Sequence, residues 1–390
     1  MTHRLAPLPL LRATAAALLA TLLAVACGVG SGGTGSFAAG PITGFGSIIV
    51  NDVRFDDTSA TVEDGDGVRS SRDDLRLGMT VEVDAGPQAA DGSGTRATAT
   101  RIRVDSEVRG PVVAVDAAAG SFSLLGQVVT VDASTVFAES LGALVPGAVV
   151  EVFAVYDTSS ARYRAKRVGP ASAGAAAQLR GPVGALDTAA RTLRIGSGAT
   201  VYSYASATAV PADLAVGAYL RLRLAPTAGA PGRWNVLSFG TALAALPDAD
   251  GASYKGLITA FTSAASFSVN GRAVDAGGAS FTNGRSGLGN GVRVEVKGNL
   301  RNGTLRATEV AIRSDAEDSG KDFEISGSIE AVNAAARTIT VRGVTVSLAR
   351  SDLRLDNGTL ANAVVGRRVE VRGRLSGDGL RIEATRLSFD

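Results

Sequence analysis

Histidine and cysteine are all but missing from this chain of 390 residues: His3 and Cys27 are the only ones, and both stand near the N-terminus. Past Cys27, a Ser-His-Asp triad, a Cys-His pair and the common histidine or cysteine zinc sites all lack their parts. A lone cysteine also excludes an internal disulfide. Lysine is scarce, with only Lys166, Lys255, Lys297 and Lys321. A serine-lysine dyad has no motif to rest on, and no phosphate loop of the G-x-x-x-x-G-K-[ST] type occurs, since Gly320-Lys321 runs into Asp322. A surplus of one charge is missing too: 39 basic and 37 acidic side chains leave +2, and setting aside Arg4 and Arg12 of the N-terminal segment brings the balance to zero. A sequence-blind nucleic-acid binder needs a positive surplus to displace counterions, so no nucleic-acid partner is expected. No cofactor has a recognisable site. Among 37 carboxylates accidental pairs are unavoidable, but no spacing singles out a glycosidase pair. The chain is therefore not expected to be an enzyme, a carboxylate-dependent hydrolase being the weakest alternative.

What is present begins with an export segment. Arg4 and Arg12 form a basic region, and residues 13–26 are small or apolar except Thr14 and Thr21. That is the pattern of a secretory signal over residues 1–26. It is short of the roughly 20 apolar residues that cross a bilayer. The run ends Leu23-Ala24-Val25-Ala26-Cys27-Gly28, which resembles the lipobox of bacterial lipoproteins. The resemblance implies an acylated Cys27 as first mature residue and a membrane reached through that acyl anchor. Gly28 is not the aspartate of inner-membrane retention, so an outer-membrane address is implied, facing the periplasm or the cell surface. Ala24 departs from the usual leucine, and Ala24-Val25-Ala26 also fits ordinary signal cleavage, which would release a soluble exported protein with a free thiol. Five glycines in residues 28–36 make residues 27–39 a flexible tether.

The rest of the chain repeats itself. Gly40-Pro41-Ile42, Gly110-Pro111-Val112, Gly181-Pro182-Val183, Gly256-Leu257-Ile258 and Gly327-Ser328-Ile329 each open an apolar strand. A second glycine follows in every copy: Gly78, Gly147, Gly217, Gly291 and Gly366. Each precedes an alternating strand, of which Val81-Glu82-Val83 and Val369-Glu370-Val371 are examples. Period-two alternation marks strands with one buried face. Asn51-Asp52, Gly126-Gln127, Gly196-Ser197-Gly198, Asn270-Gly271 and Arg342-Gly343 mark a hairpin. Each unit reads as three strands, a short connection and two strands, the order of an OB-like barrel. The expected fold is all-β: five tandem, small, five-stranded OB-like β-barrel repeats at residues 40–105, 106–170, 177–241, 252–317 and 323–390. A unit of this length can close its own core, so five independent beads are expected, each surviving deletion of a neighbour.

Gly110-Pro111-Val112-Val113-Ala114-Val115-Asp116 and Val365-Gly366-Arg367-Arg368-Val369-Glu370-Val371 resemble a bacterial family of β repeats, catalogued as a domain of unknown function and common on lipoproteins. Its pattern is G-x-V-x-A-V-D followed by L-x-x-G-x-x-V-E-V. The first copy departs at Phe45-Gly46, and the third carries Arg221 and Arg223 where glutamate is usual. A family without an assigned activity implies fold and location only.

Three clusters remain as candidate sites. Asp52, Asp56, Asp57, Glu63, Asp64 and Asp66 form the densest charge, and Asp64-Gly65-Asp66-Gly67 is a weak calcium candidate beside the alternative of a solvated hairpin. Tyr202, Tyr204, Tyr219 and Trp234 gather aromatics in a chain with few. Facing outward they would bind a glycan or small ligand, and facing inward they would fill a barrel. The later copies are mildly basic and the first is acidic, a polarity that solvated strand faces explain. The expectation is a non-enzymatic envelope lipoprotein that acts as a binding or spacer scaffold toward an unidentified envelope protein or polysaccharide.

Overall fold

The alternating segments become strands with apolar side chains inward and polar ones outward, as in Arg368–Leu375, where Val369 and Val371 are buried and Arg368 is exposed. The computed structural model describes residues 35–390, apart from 91, 93, 173, 226, 242, 244, 315, 316 and 318–321. The export segment and Cys27 lie outside the described residues. The first strand starts at Ser36, inside the stretch expected to be tether, because Phe37 and Ala38 find buried places.

Strand pairing closes small barrels. In the N-terminal barrel Ser36–Phe45 pairs with Ile48–Val50, which pairs with Val53–Asp56. Val53–Asp56 runs parallel to Thr95–Val104, which pairs with Thr80–Ala85, and Thr80–Ala85 returns to Ser36–Phe45. The ring order is first, second, third, fifth, fourth, and closure pairs most strand edges within the barrel while leaving the ends of the opening strand open. Residues 108–170, 249–312 and 323–389 repeat that order. The strands of residues 177–241 pair in the same sequence. The short connection holds a 3₁₀ turn at Arg72–Asp74, Leu141–Ala143 and Leu360–Asn362.

The two recurring glycines have separate physical reasons. A Cβ on the first would collide with the hairpin folded over it: Leu125 would lie 2.9 Å from it at Gly110 and Arg342 3.0 Å at Gly327, and Asn51 and Asn270 press in the same way on Gly40 and Gly256. The second glycine always has positive φ, from +79° to +91°, which side-chain-bearing residues rarely adopt. Its N–H donates to the opening strand two residues past the first glycine, as in Gly78 to Ile42 at 2.9 Å and Gly366 to Ile329 at 2.8 Å. That clip keeps the two markers in step along the chain. Just beyond it the opening strand is bulged in every barrel, between Ile42 and Gly44 or Ile329 and Ala331 for instance, which bends it from one partner to the next. One expected turn moves by a residue: Leu125 and Gly126 take the positive φ values, and Gln127 already opens a strand.

The expectation of independent beads fails. Phe37–Ala39 of the N-terminal barrel pairs in parallel with Ala252–Tyr254, and Gly44–Phe45 with Glu324–Ile325. Val108 and Arg109 pair with Leu179 and Gln178. The cores merge accordingly. One apolar cluster runs through the N-terminal and C-terminal barrels, and a second through residues 108–168 and 177–236. Phe37 of the first barrel packs into the core of the 249–312 barrel, edge-on to Tyr254 at 5.7 Å. Small barrels bury too little surface to be independently robust, and sharing cores supplies the rest.

Candidate functional site

On the fourth strand of each barrel two valines, or Leu220 and Leu222 in the 177–241 barrel, point inward, so the polar residue between them lies on the outer face. Glu82 and Asp84 sit two apart on Thr80–Ala85, on one face. Arg103 of the next strand donates to Asp84 at 2.6 Å and to Glu82 at 3.3 Å, and Arg272 of the 249–312 barrel donates through Nε to Glu82 at 2.9 Å. In the 177–241 barrel the equivalent position is Arg221. It reaches back to Asp105 at 3.1 Å and also pairs with Asp66, which Arg223 engages as well.

Asp105, Ser106 and Glu107 form the connection between the first two barrels, and the 177–241 barrel holds them. Gln178 Nε2 donates to Asp105 and to the Ser106 carbonyl, both at 2.7 Å. Arg180 lies 3.7 Å from Asp105 and 3.5 Å from Glu107. Glu107 also accepts the Ala154 N–H at 2.9 Å. Burial pushes the Glu107 carboxyl up to about 7; Arg180 and the Ala154 hydrogen bond oppose the shift, and Asp105 adds to it. Burial likewise raises Asp84, against the pull of Arg103 and Arg101.

These groups enclose a cleft of about 290 Å³ where the N-terminal, second, 177–241 and 249–312 barrels meet. Its walls carry Arg101, Arg103, Arg180, Lys255 and Arg272 against Glu63, Asp64, Glu82, Asp105 and Glu107, with Tyr219 and Tyr254 between them. Burial raises both phenols above their ordinary pKa. Tyr254 is 2% exposed, and its hydroxyl has no hydrogen-bond partner among the described residues. The volume of the cleft is near the lower bound of ligand pockets, and its charged groups converge on one space.

The structure separates the residues singled out in the sequence. Tyr202 is fully buried: its hydroxyl donates to the Leu125 carbonyl at 2.8 Å and accepts from Gln127 Nε2 at 2.6 Å, joining two barrels. Tyr204, 9% exposed, stacks edge-on to Phe239 at 5.4 Å, and Trp234 is 6% exposed in the same core. An outward aromatic platform is therefore corrected to inward packing, because these rings supply bulk that the alanine- and valine-rich interior lacks. Tyr219 alone of the four reaches the cleft. The acidic cluster disperses as well. Asp64 accepts the Asp66 and Val68 N–H groups, each at 2.9 Å, and Asp66 is taken by Arg221 and Arg223, so the calcium candidate is a turn cap and an ion pair. Among the described residues no three acidic, histidine or cysteine side chains converge as metal ligands. Lysines divide too: Lys166 donates to Ser134 at 2.9 Å, whereas Lys255 lines the cleft. The basic C-terminal barrel carries its arginines in surface pairs, such as Arg368 with Asp390 at 2.9 Å.

Sequence reading missed Glu107, Asp105, Arg103, Arg180, Arg272 and Tyr254. The signal that was available lay in Arg221 and Arg223, since a charge reversal on a strand that elsewhere carries glutamate asks for carboxylates on another unit.

Closed five-stranded rings with clipped glycines and an out-facing acidic position define a tandem small β-barrel protein. The chain belongs to the family described as domain of unknown function (DUF5666), whose profile matches residues 39–103, 109–169, 255–311 and 326–388, more than half of the chain. Residues 177–241 are not matched. No curated protein matches the chain.

Proposed function

We propose that the protein is a non-enzymatic binding scaffold of the bacterial cell envelope. In this reading residues 177–241 are a fifth, diverged OB-like copy, whose Arg221 stands in place of the usual glutamate and grips the linker of the first two at Asp105, while Arg223 holds Asp66 of the first barrel. Residues 1–26 direct export, Cys27 carries the lipid anchor at the outer membrane, and the barrels present their faces to an envelope protein or polysaccharide. The observation that supports a scaffold is the set of three backbone ladders between barrels, which fix the relative positions of surfaces that loose beads would let wander. Calorimetry of the mature chain tests it: the expected result is one cooperative transition, and separate melting of single barrels would refute it. Mass spectrometry of the N-terminus tests the address, diacylglycerol on Cys27 being expected and an unmodified or retained cysteine refuting the anchor.

A further inference from the structure

Resting on the binding-scaffold reading, we propose that the cleft between the barrels is a site for a small hydroxylated carboxylate, of the size and kind of a single uronic acid. Three features of the cleft combine. Its volume of about 290 Å³ admits one sugar-sized molecule and no polymer segment of several rings. The Tyr254 hydroxyl, buried in the wall and within the fields of Arg272 and Glu82, has no partner among the described residues. A buried polar group left so costs free energy that a ligand hydroxyl would recover. Third, the lining can become positive. Its formally charged groups number five bases and five acids, and Glu107 is the acid that gives way.

Glu107 faces Asp105 on its own segment, Arg180 from Ala177–Asp187, the Thr80 hydroxyl from Thr80–Ala85, the Ala154 N–H, and the phenols of Tyr163 and Tyr219. Asp105, beside it, holds Arg221 at 3.1 Å. With the carboxyl titrating at about 7, a proton there removes one negative charge from beside Arg180. The guanidinium, flanked by Asp105, then favours an incoming carboxylate. Anion uptake and proton uptake are thus linked, and each promotes the other. Arg101, whose side chain is half exposed, belongs to the lining, so the cleft is not sealed from solvent.

The test is isothermal titration calorimetry of the full mature chain with D-glucuronate at pH 6 and pH 8. One saturable site is expected, about tenfold tighter at pH 6, because only the protonated fraction of Glu107 is competent. Tyr254→Phe removes only the unpartnered hydroxyl, so it should fold normally yet bind roughly fivefold more weakly, the worth of one hydrogen bond. Glu107→Gln should hold the pH 6 affinity and lose the pH dependence. Glucose, acetate and inorganic phosphate each lack part of the proposed chemistry and should bind at least about tenfold more weakly. Phosphate or acetate matching glucuronate would overturn the ligand class. Binding unmoved by both variants would overturn the site. No glucuronate heat at either pH, in a chain that still melts in one transition, would overturn the ligand proposal and leave the scaffold standing; several transitions would instead sink the scaffold.

Discussion

Thr80–Ala85 and Tyr219–Leu224 are the same strand of two barrels, and they differ in the sign of the charge they turn outward. Glu82 on the first is met by Arg103 and Arg272; Arg221 on the second is met by Asp105 and Asp66. Elsewhere the position makes short-range pairs, Glu151 with Arg109 and Glu295 with Arg313. The contrast shows how a repeat protein gains specific inter-unit contacts without altering its core: the inward valines and leucines stay, while one outward residue changes sign and selects a partner barrel.

The comparison is broken most severely at Arg180. Replacing it by alanine leaves Glu107 without its cationic partner in the buried junction, while Asp105 keeps Arg221 and Gln178; urea unfolding should show a loss of about 3 kcal/mol, the usual cost of orphaning a buried charge. A loss below about 1 kcal/mol would show that the junction is wetter than its burial implies. Next comes pH. Glu107 has its carboxyl raised in the folded chain, so its contribution is fully present below the unfolded value of 4.5 and is lost as pH rises through about 7. Chemical unfolding between pH 4.5 and 8 should reveal a decline of at most about 3 kcal/mol from this group, which Glu107→Gln flattens. A Gly366→Ala chain meets no steric neighbour, only its φ of +87°, and should lose about 1 kcal/mol in thermal unfolding. Smallest is Arg368→Ala, which removes a pair whose side chains are 61% and 57% exposed; a shift within about 0.5 kcal/mol is expected. Equal effects at Arg180 and Arg368 would erase the distinction between joining and surface pairs.

Much of the barrel was legible because its rules are local. Alternation set the strands, and the glycine pairs recur in register because a hydrogen bond clips Gly78 to Ile42 and its counterparts likewise. The hairpin at Leu125 was placed one residue late, since leucine gives no sign of accepting positive φ when glycine follows it. The inward choice for Tyr202 and Tyr204 was open, as alternation says that two residues share a face and not which face is wet. The cleft was illegible for a different reason. Glu107 reads as linker, and Arg180 and Arg272 as ordinary strand polar residues, until barrels far apart in sequence are brought together.

The opening strand Ser36–Phe45 is the first of the described strands to be made, yet the segments that flank it, Ala252–Tyr254 and Glu324–Ile325, follow more than two hundred residues later. During synthesis the N-terminal barrel thus carries bare backbone amides and an uncovered Phe37 until most of the chain has emerged. Such long-range closure slows folding and exposes sticky edges, so maturation of this protein should depend on an escort that shields its earliest segment, and truncations from the C-terminus should aggregate through it.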